Sequence, residues 1–312
     1  MAKTEPLMQS LSVVIPLYRE SRHLGNTLQE IIRVLNDLEI EYEVILVDDG
    51  SPDETWQVIL SLCKSYSTVF GIRLSRNFGK EAAIAAGLGH AKGRAVILMD
   101  GDLQHPPGLI AEMMAHWRAG ADVVEAVKRF RGEESWSSRI RAKIFNTLFS
   151  YFSGFDLHDA SDFKLMDHRV LEAWRSMGER NLFFRGMCAW LGFKRVQIEF
   201  DVRERVDGQS NWSLMQLVRL AVTAVTSFSS VPLHLVTLTG IAFTFFAIIL
   251  GIQTLYLKFS GNAIDGFTTV ILLLLVIGAV VMLGLGIIGT YIARIYEEVK
   301  ARPRFIVAER SE

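Results

Sequence analysis

The chain holds only two cysteines, Cys63 and Cys188, far apart and outside any CxxC pair. That excludes a disulfide framework and fits a reducing compartment. Its net charge at pH 7 is −1 over 312 residues, so no basic excess argues for a nucleic-acid partner. The first ten residues contain no apolar core, which leaves nothing to read as a secretory signal peptide. No glycine-rich loop ends in Gly-Lys-Ser or Gly-Lys-Thr, and this removes Walker-type phosphate binding. Gly87-Leu88-Gly89 with Gly93 is part of a dinucleotide fingerprint. It precedes a strand pattern where the fingerprint must follow one, so it does not argue for a nicotinamide cofactor.

A further absence is local. Residues 233–257 and 266–293 contain no Asp, Glu, Lys or Arg. Each run exceeds the roughly 20 residues that a bilayer core requires. They read as two transmembrane helices joined by a short polar link, residues 258–265. The bland alternative is a pair of helices buried in a soluble core. The link carries only Lys258, whereas Arg294, Lys300, Arg302, Arg304 and Arg310 follow the second run and Arg219 precedes the first. The distribution of positive charge puts both termini on the cytoplasmic face of an inner or plasma membrane, with the link outside. A division follows: residues 1–230 as a cytoplasmic domain, residues 231–312 as hairpin and tail.

What is present is organised around residues 94–107. An apolar run of strand length, Ala95-Val96-Ile97-Leu98-Met99, ends in Asp100-Gly101-Asp102. Gly101 allows close approach to the backbone, and Pro106 and Pro107 open a helical pattern. Two acids so close repel unless a donor or cation compensates. A hard divalent ion shared with substrate phosphates meets that need; a solvated acidic turn is the plainer reading. Upstream, residues 11–16 read as a strand, 23–38 as an amphipathic helix, and 41–47 as a strand ending in Asp48-Asp49-Gly50. Ser51-Pro52-Asp53-Glu54 has the form of a capping box with Ser51 as N-cap. Residues 69–74 form a third strand, followed by Ser75 to Lys80 and an alanine-rich helix. Residues 107–119 read as helix and 121–127 as a fifth strand. This alternation predicts a mostly parallel sheet with right-handed crossovers. Glu20, Asp48, Asp49, Asp100 and Asp102 then gather at the carboxyl edge, where ligands of open α/β sheets bind.

Residues 137–153 interleave Arg139, Arg141 and Lys143 with Ile140, Ile144, Phe145, Leu148, Phe149 and Phe152. Such a basic amphipathic helix suits a membrane interface, or else packs on the sheet. Residues 212–228 are a second segment of the same kind.

Five stretches carry a family likeness: Val14-Ile15-Pro16-Leu17-Tyr18-Arg19-Glu20, Val47-Asp48-Asp49-Gly50-Ser51-Pro52-Asp53, Leu74-Ser75-Arg76-Asn77-Phe78-Gly79-Lys80-Glu81-Ala82-Ala83, Asp100-Gly101-Asp102-Leu103-Gln104-His105-Pro106-Pro107, and Ser161-Asp162-Phe163-Lys164-Leu165-Met166-Asp167. In this order, with two C-terminal spans, the chain resembles the polyprenyl-phosphate glycosyltransferases of glycosyltransferase family two. It is most similar to the bactoprenol glucosyltransferase type, a relative of dolichol-phosphate mannose synthase. The resemblance implies a GT-A (Rossmann-like) fold, a divalent metal (Mg2+ or Mn2+), a nucleotide-sugar donor and a polyprenyl-phosphate acceptor such as undecaprenyl phosphate. It implies UDP-glucose as donor, with N-acetylglucosamine, galactose or an amino-arabinose derivative on uridine, or mannose on guanosine, as alternatives, and a homotetramer. By analogy Pro16, Tyr18 and Glu20 line the base pocket, Asp49 faces the nucleoside with Asp48 beside it, and Asp100 and Gly101 lie near ribose and diphosphate. Asp102 binds the metal with Gln104 beside it. Arg205 heads a loop that closes over the diphosphate, and here Asn211 stands where the family has lysine. Arg76, Lys80, Lys128 or Arg129 can supply the missing charge, and the sugar-contacting arginine falls on Lys128 or Arg129. Asp162 matches the family's proposed base.

The chemistry leaves the role of Asp162 open. The nucleophile is a phosphate monoester whose second pKa is about 6, so it needs little help from a base. Asp162 acts as base, orients the acceptor, or caps the following segment, and Asp159 is the neighbour that substitutes. Two rivals remain. A processive polysaccharide synthase needs a Gln-x-x-Arg-Trp motif and further spans, and neither is present. A catalytically dead scaffold is supported by Asn211 alone, against the carboxylates Asp100, Asp102 and Asp162.

Overall fold

A computed structural model describes residues 10–102, 105–128, 162–179, 183–200, 231–260 and 266–311. Gln104, Arg129, Asp159, Arg205, Asn211 and the two amphipathic segments at 137–153 and 212–228 lie outside the described residues. Two compact units result: one holds the sheet together with the tail from Arg302, the other holds the two long helices.

The first unit follows the predicted alternation. Strand β1 (Ser10–Leu17) is followed by α1 (Leu24–Asp37), β2 (Glu41–Asp48), α2 (Thr55–Ser65), β3 (Val69–Leu74), α3 (Lys80–His90), β4 (Ala95–Leu98), α4 (Leu109–Arg118) and β5 (Val123–Lys128). Then come β6 (Lys164–Asp167), α5 (His168–Ser176), α6 (Phe184–Trp190) and β7 (Arg195–Phe200). The stripe Leu24, Leu28, Ile31, Ile32 and Leu35 is the buried face of α1. The small side chains of α3, from Ala82 to Ala86, are buried and let that helix lie close against β1 and β2.

The described residues form an eight-stranded sheet in the order β7-β5-β6-β4-β1-β2-β3-β8. β1 pairs in parallel with both β2 and β4, and β2 with β3. Its central strands are apolar and buried along their length, as strands covered on both faces must be. β2 and β3 lie on one side of β1 and β4 on the other, which makes the β1–β4 boundary a topological switch point. β6 runs antiparallel to β4, with Lys164 opposite Leu98. That reversal carries the start of β6, and with it Asp162, to the edge where β4 ends.

Two local expectations are corrected. Ser51 does not cap α2, which starts at Thr55 after Glu54 with no side-chain cap. Asp48 takes the Ser51 N–H at 3.0 Å, and the Ser51 hydroxyl accepts the Arg19 N–H at 3.0 Å. The cap is thus replaced by a clasp between the loops after β1 and β2. Helix α4 starts at Leu109, two residues later than the prolines suggested. The carbonyls of Pro106 and Pro107 accept the N–H groups of Leu109 and Ile110.

In the second unit, α7 (Val231–Phe259) has 29 residues and α8 (Phe267–Lys300) has 34. At about 1.5 Å per residue both exceed a hydrocarbon core of about 30 Å. Both contain stretches long and apolar enough to cross a membrane. Their large side chains, among them Phe245, Ile252, Met282 and Leu285, are exposed, unlike those of helices in a soluble core.

The tail was grouped with the hairpin on sequence, yet it forms β8 (Val307–Arg310), antiparallel to β3. Glu309 accepts from Trp56 Nε1 at 2.9 Å and from Arg73 Nη1 at 3.0 Å. The Ser311 hydroxyl accepts the Gly71 N–H at 2.7 Å, and Arg304 donates to the Met177 carbonyl at 2.8 Å. The edge strand is therefore fixed by side chains as well as by its ladder. Glu309→Ala should lower the stability of the sheet unit by about 1 kcal/mol, the scale of a partly exposed charged hydrogen-bond set. Deletion of residues 307–312 should cost more, because it also exposes the edge of β3. Thermal unfolding of the full chain in detergent checks both; unchanged midpoints would show that the tail is only laid against the sheet.

Candidate active site

The segments after β1, β2, β3 and β4 form the walls of a cleft of about 350 Å3. It is lined by Pro16, Leu17, Tyr18, Glu20, Asp49, Asn77, Gly79, Lys80, Ala83, Asp100, Gly101 and Asp102. Arg19 turns the chain after β1 with φ of 60°, a conformation that non-glycine residues adopt only when other contacts hold them. Here the holding contacts are the Arg19 N–H to Ser51 and the Glu20 N–H to Thr55 Oγ1 at 3.1 Å. The turn leaves the Tyr18 ring partly exposed, with the Arg19 guanidinium 5.3 Å from its centre.

The second carboxylate pair splits its work. Asp49 lines the cleft, and its two oxygens accept the N–H groups of Phe78 and Gly79, each at 2.8 Å. It thereby fixes the loop that delivers Lys80. Asp48, expected with the binding residues, is buried instead and serves Ser51 and Arg73, the latter at 3.4 Å. Gly50, with φ of 62°, sits against the backbone of Arg76, and a Cβ there would meet the Arg76 carbonyl carbon at 2.4 Å. The close approach at Gly101 is apolar packing: a Cβ would meet Leu17 Cδ2 at 2.7 Å.

The centre of charge is a chain of ion pairs. Lys80 Nζ lies 2.6 Å from Asp100 Oδ1 and 2.9 Å from Asp162 Oδ2. Arg185 holds the same Asp162 with both edges of a fork, Nε to Oδ1 at 2.6 Å and Nη2 to Oδ2 at 2.9 Å. Burial alone would raise the Asp162 pKa, but Arg185 and Lys80 outweigh it and hold the carboxyl far below the usual range. Burial disfavours the Lys80 ammonium, yet Asp100 and Asp162 keep it well above its ordinary value. A carboxylate so stabilised is a weak proton acceptor at neutral pH. Glu20 is raised by burial and by the charge of Asp102.

Other elements set this cluster in place. Glu81 accepts the Phe184 N–H at 2.8 Å and so fixes the start of α6. Lys164 and Glu125 form a pair at 3.0 Å, each side chain 3% exposed, and Lys164 also lies 5.2 Å from the centre of the Phe184 ring. Lys164 is thus a support inside the sheet rather than a ligand.

The structure brings together Pro16, Tyr18, Glu20, Asp49, Lys80, Asp100, Gly101 and Asp102 in the cleft, with Asp162 bonded to Lys80. Arg76 is exposed and lies over Phe78 at 4.2 Å, outside the cleft walls. Lys128 ends β5 at the same edge of the sheet. Arg185 was missed. Its signal was available: it is the one charged residue from Asn181 to Phe193.

For a divalent cation the described oxygens are Asp100 and Asp102. Among the described residues no three metal-ligating side chains converge. Two carboxylates are too few for a closed protein site, but they fit a magnesium-like ion that completes its shell with water and substrate phosphates.

Residues 12–174 match the family model described as glycosyl transferase family 2. An uncharacterized glycosyltransferase of Synechocystis sp. is 37% identical over 307 residues, covering 96% of this chain and 95% of that protein. The bactoprenol glucosyl transferase of Shigella phage SfII is 35% identical over 303 residues, covering 95% and 97%. Among solved structures, glucosyl-3-phosphoglycerate synthase from Mycobacterium tuberculosis, crystallised with Mn2+, UDP-glucose and phosphoglyceric acid, aligns with a TM-score of 0.48. That match has 17% identity and covers 70% of this chain and 79% of that one.

Glu81 supplies a test of the cluster's electrostatics. Burial pushes its carboxyl from 4.5 up to about 7, the Asp162 charge adds to this, and the Phe184 N–H, Arg185 and Lys80 oppose it. The folded state therefore binds the proton that the unfolded state has released. The stability from this group is fully present below pH 4.5 and is lost as pH rises to 7. Glu81→Gln keeps an acceptor for Phe184 but does not titrate. It should flatten the fall of stability across that interval, by up to about 1.4 kcal/mol per pH unit. Denaturant unfolding at a series of pH values checks this; identical slopes in parent and variant would refute it.

Proposed function

Since the chain belongs to glycosyl transferase family 2, we propose that it transfers glucose from UDP-glucose to undecaprenyl phosphate or a similar polyprenyl phosphate, inverting the anomeric centre. The observation that carries this reading is the likeness to bactoprenol glucosyl transferases. At 35% identity it extends over 95% of the chain, through the sheet and the apolar helices alike.

The cleft supports the donor half. Pro16, Tyr18, Glu20 and Asp49 offer a ring and polar groups to the nucleoside, and Asp100 and Asp102 face its diphosphate end. A metal held by Asp102 with Asp100, and with Gln104 from outside the described residues, would offset charge on the departing diphosphate. Arg205 would add to this through the loop it heads.

The transfer itself is a single displacement. An acceptor phosphate oxygen attacks the anomeric carbon with its own electron pair. The bond from that carbon to the diphosphate oxygen breaks, and its pair leaves on UDP. A phosphate dianion has no proton to lose, so no general base is required. Asp162, paired with Arg185 and Lys80, acts by orienting rather than by accepting a proton. The apolar helices anchor the enzyme in the inner or plasma membrane, with the sheet unit on the cytoplasmic side where the donor is made. They keep the acceptor's phosphate and the donor on one surface.

Membranes containing the protein, incubated with labelled UDP-glucose and undecaprenyl phosphate, should yield label that extracts into organic solvent. Asp102→Asn and chelation of the parent should each remove most of it, since both take charge from a hard-cation site. Label confined to the aqueous phase, or to insoluble polymer, would contradict the proposal.

A further inference from the structure

We propose that Arg185 and Lys80 form the subsite that receives the acceptor's phosphate, with Asp162 as the anchor that sets the two cations side by side. This rests on the transfer reaction proposed above and assigns its second substrate to named groups.

Arg185 is built in, not a solvated charge. Its neighbours Phe184, Gly186, Met187 and Cys188 are buried, so α6 presents it from a fixed surface. The Glu81 bond to the Phe184 N–H fixes the same turn from the other side.

The guanidinium is only partly spent. Nε and Nη2 serve Asp162, whereas Nη1 has no partner among the described residues, and the side chain is 42% exposed. Asp162 itself is 10% exposed, so a ligand arriving here meets the cations before the carboxylate. A planar guanidinium with a free edge beside an ammonium is the donor set that phosphate monoesters select.

Position separates this pair from the donor site. Lys80 lines the cleft, but Asp162 and Arg185 are not among its walls. The cations therefore reach from the cleft's rim to a place beside it. The charge balance agrees. Asp100 and Asp102 face the cleft and would repel a second anion there. Beside the cleft the two cations balance Asp162 and Asp100, so that place is neutral where the cleft is negative, and the unused edge of Arg185 is left for the incoming phosphate.

The test uses the full chain in detergent, with farnesyl phosphate as a water-soluble prenyl phosphate. Arg185→Gln should raise the acceptor KM about 10- to 100-fold, the scale of a lost charge-assisted hydrogen bond. Its affinity for UDP-glucose should stay within about twofold, well under the tenfold that 1.4 kcal/mol represents. Arg185→Lys keeps the charge without the fork and should fall between parent and Arg185→Gln. It also serves if the glutamine variant does not fold. Asp162→Asn keeps both cations but loosens their anchor, so it should weaken farnesyl phosphate binding, measured directly without donor, by less than Arg185→Gln does, about tenfold or under. An unchanged acceptor KM in a folded Arg185 variant would overturn the inference. So would an equal loss of donor affinity in that variant, or weaker farnesyl phosphate binding in Asp162→Asn than in Arg185→Gln. If the parent transfers no label to any prenyl phosphate, the reaction proposed above falls; if it transfers and Arg185→Gln matches it, only this subsite falls.

Discussion

The buried carboxylate of Asp162 is the constraint on which the site depends. An ionised acid withdrawn from water is stable only when charges of opposite sign and well-placed donors compensate it. Arg185 and Lys80 do so together, and Lys80 also reaches Asp100. One lysine thus joins the carboxylate beside β6 to the acidic end of β4. Each partner depends on a separate part of the chain. Asp49 holds the loop before Lys80, Glu81 holds the turn before Arg185, and the Lys164–Glu125 pair supports the strand behind Asp162. The same pairing bears on the proposed chemistry. It holds Asp162 in its charged form, which suits a nucleophile that arrives already deprotonated. A phosphate monoester meets that condition near neutral pH; a sugar hydroxyl does not.

Much of this was legible in the sequence, because the sheet is built from apolar runs that stop at acids. β1, β2 and β4 are buried on both faces, so their patterns are continuous, and Glu20, Asp49, Asp100 and Asp102 mark where each strand meets the cleft. The stripe of α1 and the order of the first five strands follow from the same periodicity. What was not legible depends on pairing between distant segments. Nothing near Asp162 says that β6 runs antiparallel to β4 and so returns it to Lys80. Asp48 and Asp49 are chemically identical neighbours, and only the fold sends one to Ser51 and Arg73 and the other to the cleft. Ser51 had the pattern of a helix cap, but the Arg19 and Asp48 contacts took both its groups. Arg185 stood alone in an apolar run, a signal that a partner must exist without saying which.

The tail shows the same limit. Four residues, Val307–Arg310, are too few to announce a strand, and they follow a long apolar helix that draws the eye to the membrane. Yet the chain returns from the helical unit to the sheet and closes its edge at β3. Glu309 reaches Arg73, which also contacts Asp48, so the end of the chain and the clasp between the β1 and β2 loops share one arginine. Removing the tail thus acts on the β2–β3 side of the sheet, away from β6 and Asp162.

The central claim is that Asp162 is a permanently charged anchor and that the acceptor supplies its own ionisation. Single-turnover transfer measured against pH, with saturating donor, in the parent and in Asp162→Asn tests it most directly. The rate should rise with a midpoint near the phosphate's second pKa of about 6 in both proteins, with a lower plateau in the variant and the same midpoint. If the midpoint disappears from the variant, or if the variant is slowed by about 100-fold to 10,000-fold and recovers at high pH as a lost general base would, Asp162 is the proton acceptor and the account is wrong.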